Sequence, residues 1–287
     1  LWPACSPLSD HIKHEIQFLT DQGRDQDAAD TLHSAIGPLF YRVRKTDLGL
    51  APQHLHILPV TMNACEQRVY DSILDRIKMV SQSDYFRDID LLLRLRKGRM
   101  VRLRQCVSYA KLLQTAVTEY REELLGNDPP LTDVIKHYDS LEQPGKLQAV
   151  VSLVQRLRDE RQKVVIWSCF IESLKLIGTT LKRHGHGVRL LYGETPTERD
   201  GLRHEMTRER IIRHFLREDS GIDVLVANPA ACAESISLHK ACCNAIYYDL
   251  SYNCAQYVQS MDRIHRVGGS EYTPAHYHFL QYSDTID

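Results

Sequence analysis

The sequence predicts an α/β fold: a parallel sheet with helices on both faces, preceded by a mainly helical segment. Three observations predict it. Beyond Pro144, short apolar runs recur: KVVIW (163–167), VRLLY (188–192), VLVAN (224–228), AIYYD (245–249) and AHYHFL (275–280). Segments with helical spacing separate them, and strands alternating with helices make a parallel sheet covered on both faces. Upstream, helical rhythm dominates and only HLHILPV reads as a strand. The chain has 287 residues and is 43% hydrophobic, enough for a real core in one large or two ordinary domains.

Taken in order, residues 1–36 are polar and helical, with Gly37-Pro38 as a stop. LFYRVRKTDLG follows and clusters Arg42, Arg44 and Lys45. In HLHILPV, His54 and His56 alternate with Leu55 and Ile57, as on a strand. Asn63 is placed to cap a helix running to about Val80, with Glu66 three residues on as in a capping box. Residues 91–113 carry Arg94, Arg96, Lys97, Arg99, Arg102 and Arg104 within about three helical turns. Such a cluster can neutralise DNA phosphates or form a solvated face balanced by Glu119, Glu122 and Glu123. Asn127-Asp128-Pro129-Pro130 breaks the pattern. Helical spacing then returns at Leu147–Leu157 and Ile171–His184, and Pro196 can open a helix that continues to Arg217.

The stretch Asn253–Gly269 stands out. Continued as one helix through Arg266, it puts Gln259, Arg263 and Arg266 on one stripe and Val258, Met261 and Ile264 on the other. One face then buries while the other presents a carboxamide and two guanidiniums, forked cations suited to phosphate oxygens. Ligands of open α/β sheets sit at the strands' carboxyl ends. Trp167, Ser168, Asn228, Pro229, Asp249 and Asn253 lie at or just past those ends.

Composition excludes other classes. The net charge is −1, so any nucleic-acid contact must come from a local patch. No apolar run is long enough to span a bilayer, and no signal peptide opens the chain. The eight cysteines include no CxxC pair and no spaced His pair completes a zinc site, so reduced, mostly buried thiols are expected. There is no GxxxxGK[ST] loop and no DExH-type run to hold magnesium. Leu1 stands where a Met would start a complete protein, so an excised piece is expected.

The order of these signals resembles the C-terminal RecA-like lobe of Swi/Snf-type ATPases, a branch of the superfamily-two helicase-like motors. PGKLQAVVSLVQRL resembles the family's opening helix, KVVIWSCFIESLKLI its motif IV, and VRLLYGETPTERD its Y-x-G-x-T-x-x-x-R segment. VLVANPAACAESISLHKACCNAIYYDLSYN resembles motif V with its extension, and QSMDRIHRVGG resembles motif VI. Upstream, YRVRKTDLG, HLHILPVTMNACEQRVYDSIL and LRQCVSYAKLL resemble the tail of lobe one and its connection to lobe two. The pattern departs at Cys232–Leu238, which reads CAESISL where the family has GGEGLNL, at Gly269 where it has Gln, and at Pro144 where it has Ser.

The resemblance implies three parts: 1–62 as the tail of the first motor lobe, 63–140 as a helical connector, and 141–287 as the C-terminal RecA-like lobe. It implies a DNA-dependent ATPase and translocase in the parent protein, with this piece inactive alone because ATP and Mg2+ are held mainly by the N-terminal RecA-like lobe. Arg263 and Arg266 would be catalytic, with Arg266 the arginine finger; Gln259 and Glu234 would line the ATP interface. Ser168, Asn228, Arg99 and Arg102 would touch double-stranded DNA. A non-catalytic DNA- or partner-binding module and a strand-separating helicase are the alternatives. The expected setting is a prokaryotic cytoplasm, beside the nucleoid, ahead of a nucleus.

Overall fold

A computed structural model of the chain describes residues 8–37, 43–82, 89–114, 129–198, 206–231 and 236–287. The chain divides into two compact units, Leu1–Gly49 and Leu50–Asp287. In the first, helix α1 (Asp10–Asp21) starts at Ser9, whose side chain accepts from the Ile12 amide, and α2 (Asp25–Ile36) follows after a tight turn. The break between them divides what the sequence presents as one helical stretch.

The second unit is built on a six-stranded sheet in which every strand pair is parallel. Its strands are β1 (Gln53–Val60), β2 (Lys163–Trp167), β3 (Val188–Leu191), β4 (Val224–Ala227), β5 (Cys242–Tyr247) and β6 (Ala275–Tyr282), in the order β1-β6-β5-β2-β4-β3. Side chains alternate between faces along each strand. Val165 and Trp167 of β2 therefore join Leu225 and Ala227 of β4 in one core, under α9 (Arg208–Leu216) and α10 (Cys254–Met261). Val164, Ile166, Val224 and Val226 join the opposite core, under α7 (Gly145–Asp159) and α8 (Ile171–Arg183). The α/β expectation holds, with helices on both faces.

Between β1 and α7 the chain forms α3 (Ala64–Gln82), α4 (Ile89–Ser108), α5 (Pro129–Lys136) and α6 (Tyr138–Leu141). Val69, Ile73, Leu103, Val107, Leu131 and Ile135 bury together with Tyr282 at the end of β6. The expected capping contact forms: the Asn63 amide donates to Glu66 Oε2 at 3.0 Å. Glu66 does more than cap. Its Oε2 also accepts from the Gly145 amide at 3.2 Å, and its Oε1 accepts from Tyr282 Oη at 2.7 Å. Burial pushes its carboxyl up from the ordinary range. Gly145 must lack a side chain here, since a Cβ would lie 2.6 Å from the Thr61 carbonyl oxygen.

Three expectations are corrected. The strand 53–60, assigned to the first lobe by a boundary at 62, pairs along its whole length with β6 and forms the edge of this sheet. Of the helix expected from Pro196, residues 199–205 lie outside the described residues; α9 starts at Arg208, where Thr207 caps it, and the Arg208 guanidinium donates to the Gly193 and Thr195 carbonyls. The helix expected to reach Arg266 ends at Met261. Beyond it the Arg263 and Ile264 amides tighten to i−3 acceptors, the Arg263 carbonyl accepts from Leu238, and the Arg266 amide turns to Ser270 Oγ.

Candidate functional site

The candidate residues separate onto two rims of the sheet. β2 has five residues, which at about 3.3 Å each puts the rims roughly 17 Å apart.

At the carboxyl rim, buried Asp249 is the centre. Its Oδ2 accepts from Ser168 Oγ (2.8 Å) and Ser108 Oγ (2.7 Å), and its Oδ1 accepts from the Cys169 amide at 2.6 Å. Ser108 also meets Ser173 Oγ at 2.7 Å, so one carboxylate gathers α4, α8 and the turn after β2. Ser168 is thus corrected: it is fully buried, and its hydroxyl braces this turn from inside rather than facing a phosphate. Asn228 remains half-exposed past β4. Its Nδ2 donates to the Cys169 carbonyl at 2.9 Å and its Oδ1 accepts from the Ala230 amide at 2.9 Å, which fixes the turn around it. Arg104 crosses the same rim, with its guanidinium over Tyr252 (4.6 Å) and Phe170 (5.5 Å) and a bond to the Leu250 carbonyl.

Arg102 sits on α4, away from the strand ends. It lies half-buried and donates to Gln105 Oε1 at 3.1 Å, and burial lowers its pKa from the ordinary value. The side chain of Arg99 lies outside the described residues.

The amino rim carries the arginines. Arg263 is only 5% exposed, and its Nη1 donates to the Ile236 carbonyl at 3.4 Å. It braces the segment entering β5 instead of facing outward, against the expectation of two outward guanidiniums. Arg266 is half-exposed; its Nη1 donates to Ser237 Oγ at 3.1 Å. Gly269 lets the two segments close up, because a Cβ there would meet His239 Cδ2 at 2.8 Å. Gln259 is exposed on α10, and so is Val258, which the periodicity placed inside; Ser260 buries instead against Tyr247 Oη at 2.8 Å. Glu234 lies outside the described residues, as does most of the CAESISL departure.

Sequence reasoning missed Asp249 and Arg104 as organisers of the carboxyl rim. The one available signal was the position of Asp249 at the end of AIYYD.

Residues 145–268 match the family described as helicase conserved C-terminal domain. Chromodomain-helicase-DNA-binding protein 8 of Xenopus tropicalis is 27% identical over 271 residues, which is 90% of this chain and 11% of that protein. The SWI2/SNF2 ATPase core of Sulfolobus solfataricus, solved in complex with dsDNA, superposes with a TM-score of 0.55 at 18% identity, covering 91% of this chain and 48% of that one. Residues 145–268 carry a helicase conserved C-terminal domain, and the chain is similar to Swi/Snf-type proteins over most of its length. The parallel sheet with two helical faces has the RecA-like fold, and α3–α6 are inserted in the chain between its edge strand β1 and its other five strands.

A second relative is the SWI/SNF-related matrix-associated actin-dependent regulator of chromatin subfamily A member 1 of Mus musculus. It is 25% identical over 256 residues, 85% of this chain and 21% of that protein. The chain therefore spans about a tenth to a fifth of the length of these relatives. Both are eukaryotic and one is named a regulator of chromatin, which overturns the expected prokaryotic cytoplasm.

Proposed function

We propose that this chain is the second half of an ATP-driven motor that translocates on double-stranded DNA, and that Arg266 reaches into the nucleotide pocket of the other half. The observation that carries the reading is the contrast between the two arginines of the turn. Arg263 is spent on the fold, whereas Arg266 stays half-exposed and, among the described residues, its guanidinium has one neutral side-chain bond and no carboxylate partner. A permanently charged fork held this way is suited to the γ-phosphate of a nucleotide bound across a cleft.

The chain offers ATP and Mg2+ little else. It has no phosphate loop, and no group of three His, Cys, Asp or Glu able to hold a metal ion stands together among the described residues. The nucleotide and its magnesium would be held mainly by the N-terminal lobe, where bound ATP supplies the phosphoryl group. Arg266 would neutralise charge developing on that group, with Gln259 at the same interface, and the piece alone would be inactive. DNA would lie along the opposite rim, touched at Asn228. The similar Sulfolobus solfataricus core was solved with dsDNA bound, which supports that partner.

The test is Arg266→Ala in the full-length protein. DNA-stimulated ATP turnover should fall by about 10³-fold or more, with an unchanged melting temperature. Near-normal turnover overturns the reading. Strand-displacement products would make the parent a strand-separating helicase, and DNA binding without any wild-type turnover would make it a non-catalytic module.

A further inference from the structure

We infer that His265 is a positioning residue for Arg266, and that the residues leading into β1 hold it in place. The inference builds on the arginine reading above. His265 is only 3% exposed, and both ring nitrogens are engaged. Nε2 lies 2.7 Å from the Ala51 carbonyl oxygen, which can only accept, so Nε2 carries the proton. Nδ1 then accepts from the Gln53 side-chain amide at 2.8 Å. One tautomer and one ring orientation satisfy both bonds.

The residue on the other side of Arg266 reaches the same anchor. Ser270, also buried, accepts from the Ala51 amide through its carbonyl at 2.8 Å. Its Oγ accepts from the Arg266 amide at 3.1 Å and donates to the Ile264 carbonyl at 3.3 Å. The helix before the turn is tied in as well: Tyr277 Oη donates to the Met261 carbonyl at 2.9 Å, and Gln53 lies 3.4 Å from the same hydroxyl. The backbone carrying Arg266 is therefore bracketed by two buried residues that both bond to Ala51.

Ala51 stands two residues before the edge strand β1, on the segment by which the chain enters the sheet. Any pull along that segment acts first on the bonds to His265 and Ser270. Packing alone needs an apolar ring here; it does not need two directed bonds to the entry segment. The arrangement makes the aim of Arg266 depend on where the incoming chain lies.

The experiment compares His265→Leu, which removes both bonds, with His265→Gln, which keeps a donor for the Ala51 carbonyl, in the full-length protein. We expect His265→Leu to lower kcat for DNA-stimulated ATP hydrolysis by roughly 10- to 100-fold, the scale of a misplaced catalytic group, with KM for ATP little changed. His265→Gln should recover most of that loss. In an Arg266→Ala background His265→Leu should add nothing, since the two act as one unit. Hydrogen exchange gives a readout independent of turnover: the Arg266 and Ala51 amides should exchange faster in His265→Leu. If that variant does not fold, Gln53→Leu, altered at an exposed position, should give the same kcat-against-KM split. A large loss in Arg266→Ala with unchanged kcat in His265→Leu overturns this inference alone. Near-normal turnover in Arg266→Ala overturns the arginine reading and this one together.

Discussion

Lys146 is completely buried, and replacing it should separate the cost of an ion pair from the cost of breaking one. Its Nζ lies 2.5 Å from Asp287 Oδ2 and donates to the Tyr248 carbonyl at 3.1 Å, with the Tyr282 ring centre 5.0 Å away. Burial is the largest influence on both partners: it holds the Lys146 pKa below its ordinary value and the Asp287 pKa above its own, in spite of their mutual attraction. The pair as a whole therefore adds little net stability. Lys146→Met leaves a buried carboxylate alone and should cost about 3–5 kcal/mol. At about 2–4 °C per kcal/mol for a unit of this size, the melting temperature should drop by roughly 10 °C. The double variant Lys146→Met with Asp287→Leu should return to within about 1–2 kcal/mol of the parent, or exceed it.

Acidity offers a second readout of the same pair. Without the lysine the Asp287 pKa rises further, so the folded state holds a proton that the unfolded state releases. The stability of the single variant should then rise as pH falls from 7 toward the ordinary carboxylate range. Urea unfolding at pH 7 and pH 5 measures all of this. A double variant whose loss equals the sum of the two single losses would refute the reasoning.

His278 and Gly187 give two further tests. His278 is buried beside the rings of His56 and His276, and burial first, then its imidazole neighbours and Arg156, push its pKa down to about 4. The unfolded chain takes the proton first, so this residue's contribution is present above about pH 6.5 and lost as pH falls to about 4, amounting to roughly 3 kcal/mol. His278→Gln should flatten that part of the stability–pH curve, and an unchanged slope would count against it. At Gly187, an added Cβ would lie 1.7 Å from the Gly221 carbonyl oxygen, a backbone atom that cannot swing aside. Gly187→Ala should cost more than about 3 kcal/mol, read as a lowered melting temperature; a variant as stable as the parent would disprove the close approach.

Where neighbours in sequence decide structure, the sequence was readable. KVVIW is β2 to the residue, and Glu66 meets the Asn63 amide as the capping pattern requires. Where distant partners decide, it was not. Nothing local marks the end of α10, because the helical period runs on through Arg266 while Leu238 and Ser270 claim the backbone groups. Ser168 has the residue type and strand-end position of a phosphate contact, but a carboxylate 81 residues away takes its hydroxyl. The helical period puts Arg263 and Arg266 on one stripe, yet their unequal burial depends on the Ile236 carbonyl, which periodicity cannot see.

The place of β1 bears on how this lobe should be cut out for expression. A fragment begun at residue 63, where the sequence alone suggests a boundary, would strip β6 of its outer neighbour and leave eight residues of backbone unpaired at a sheet margin, an invitation to intermolecular stacking. It would also discard Ala51 and Gln53, the moorings of the turn that displays Arg266. Such a fragment could stay soluble and still misreport the chemistry of the whole, so a faithful one has to begin upstream of Ala51.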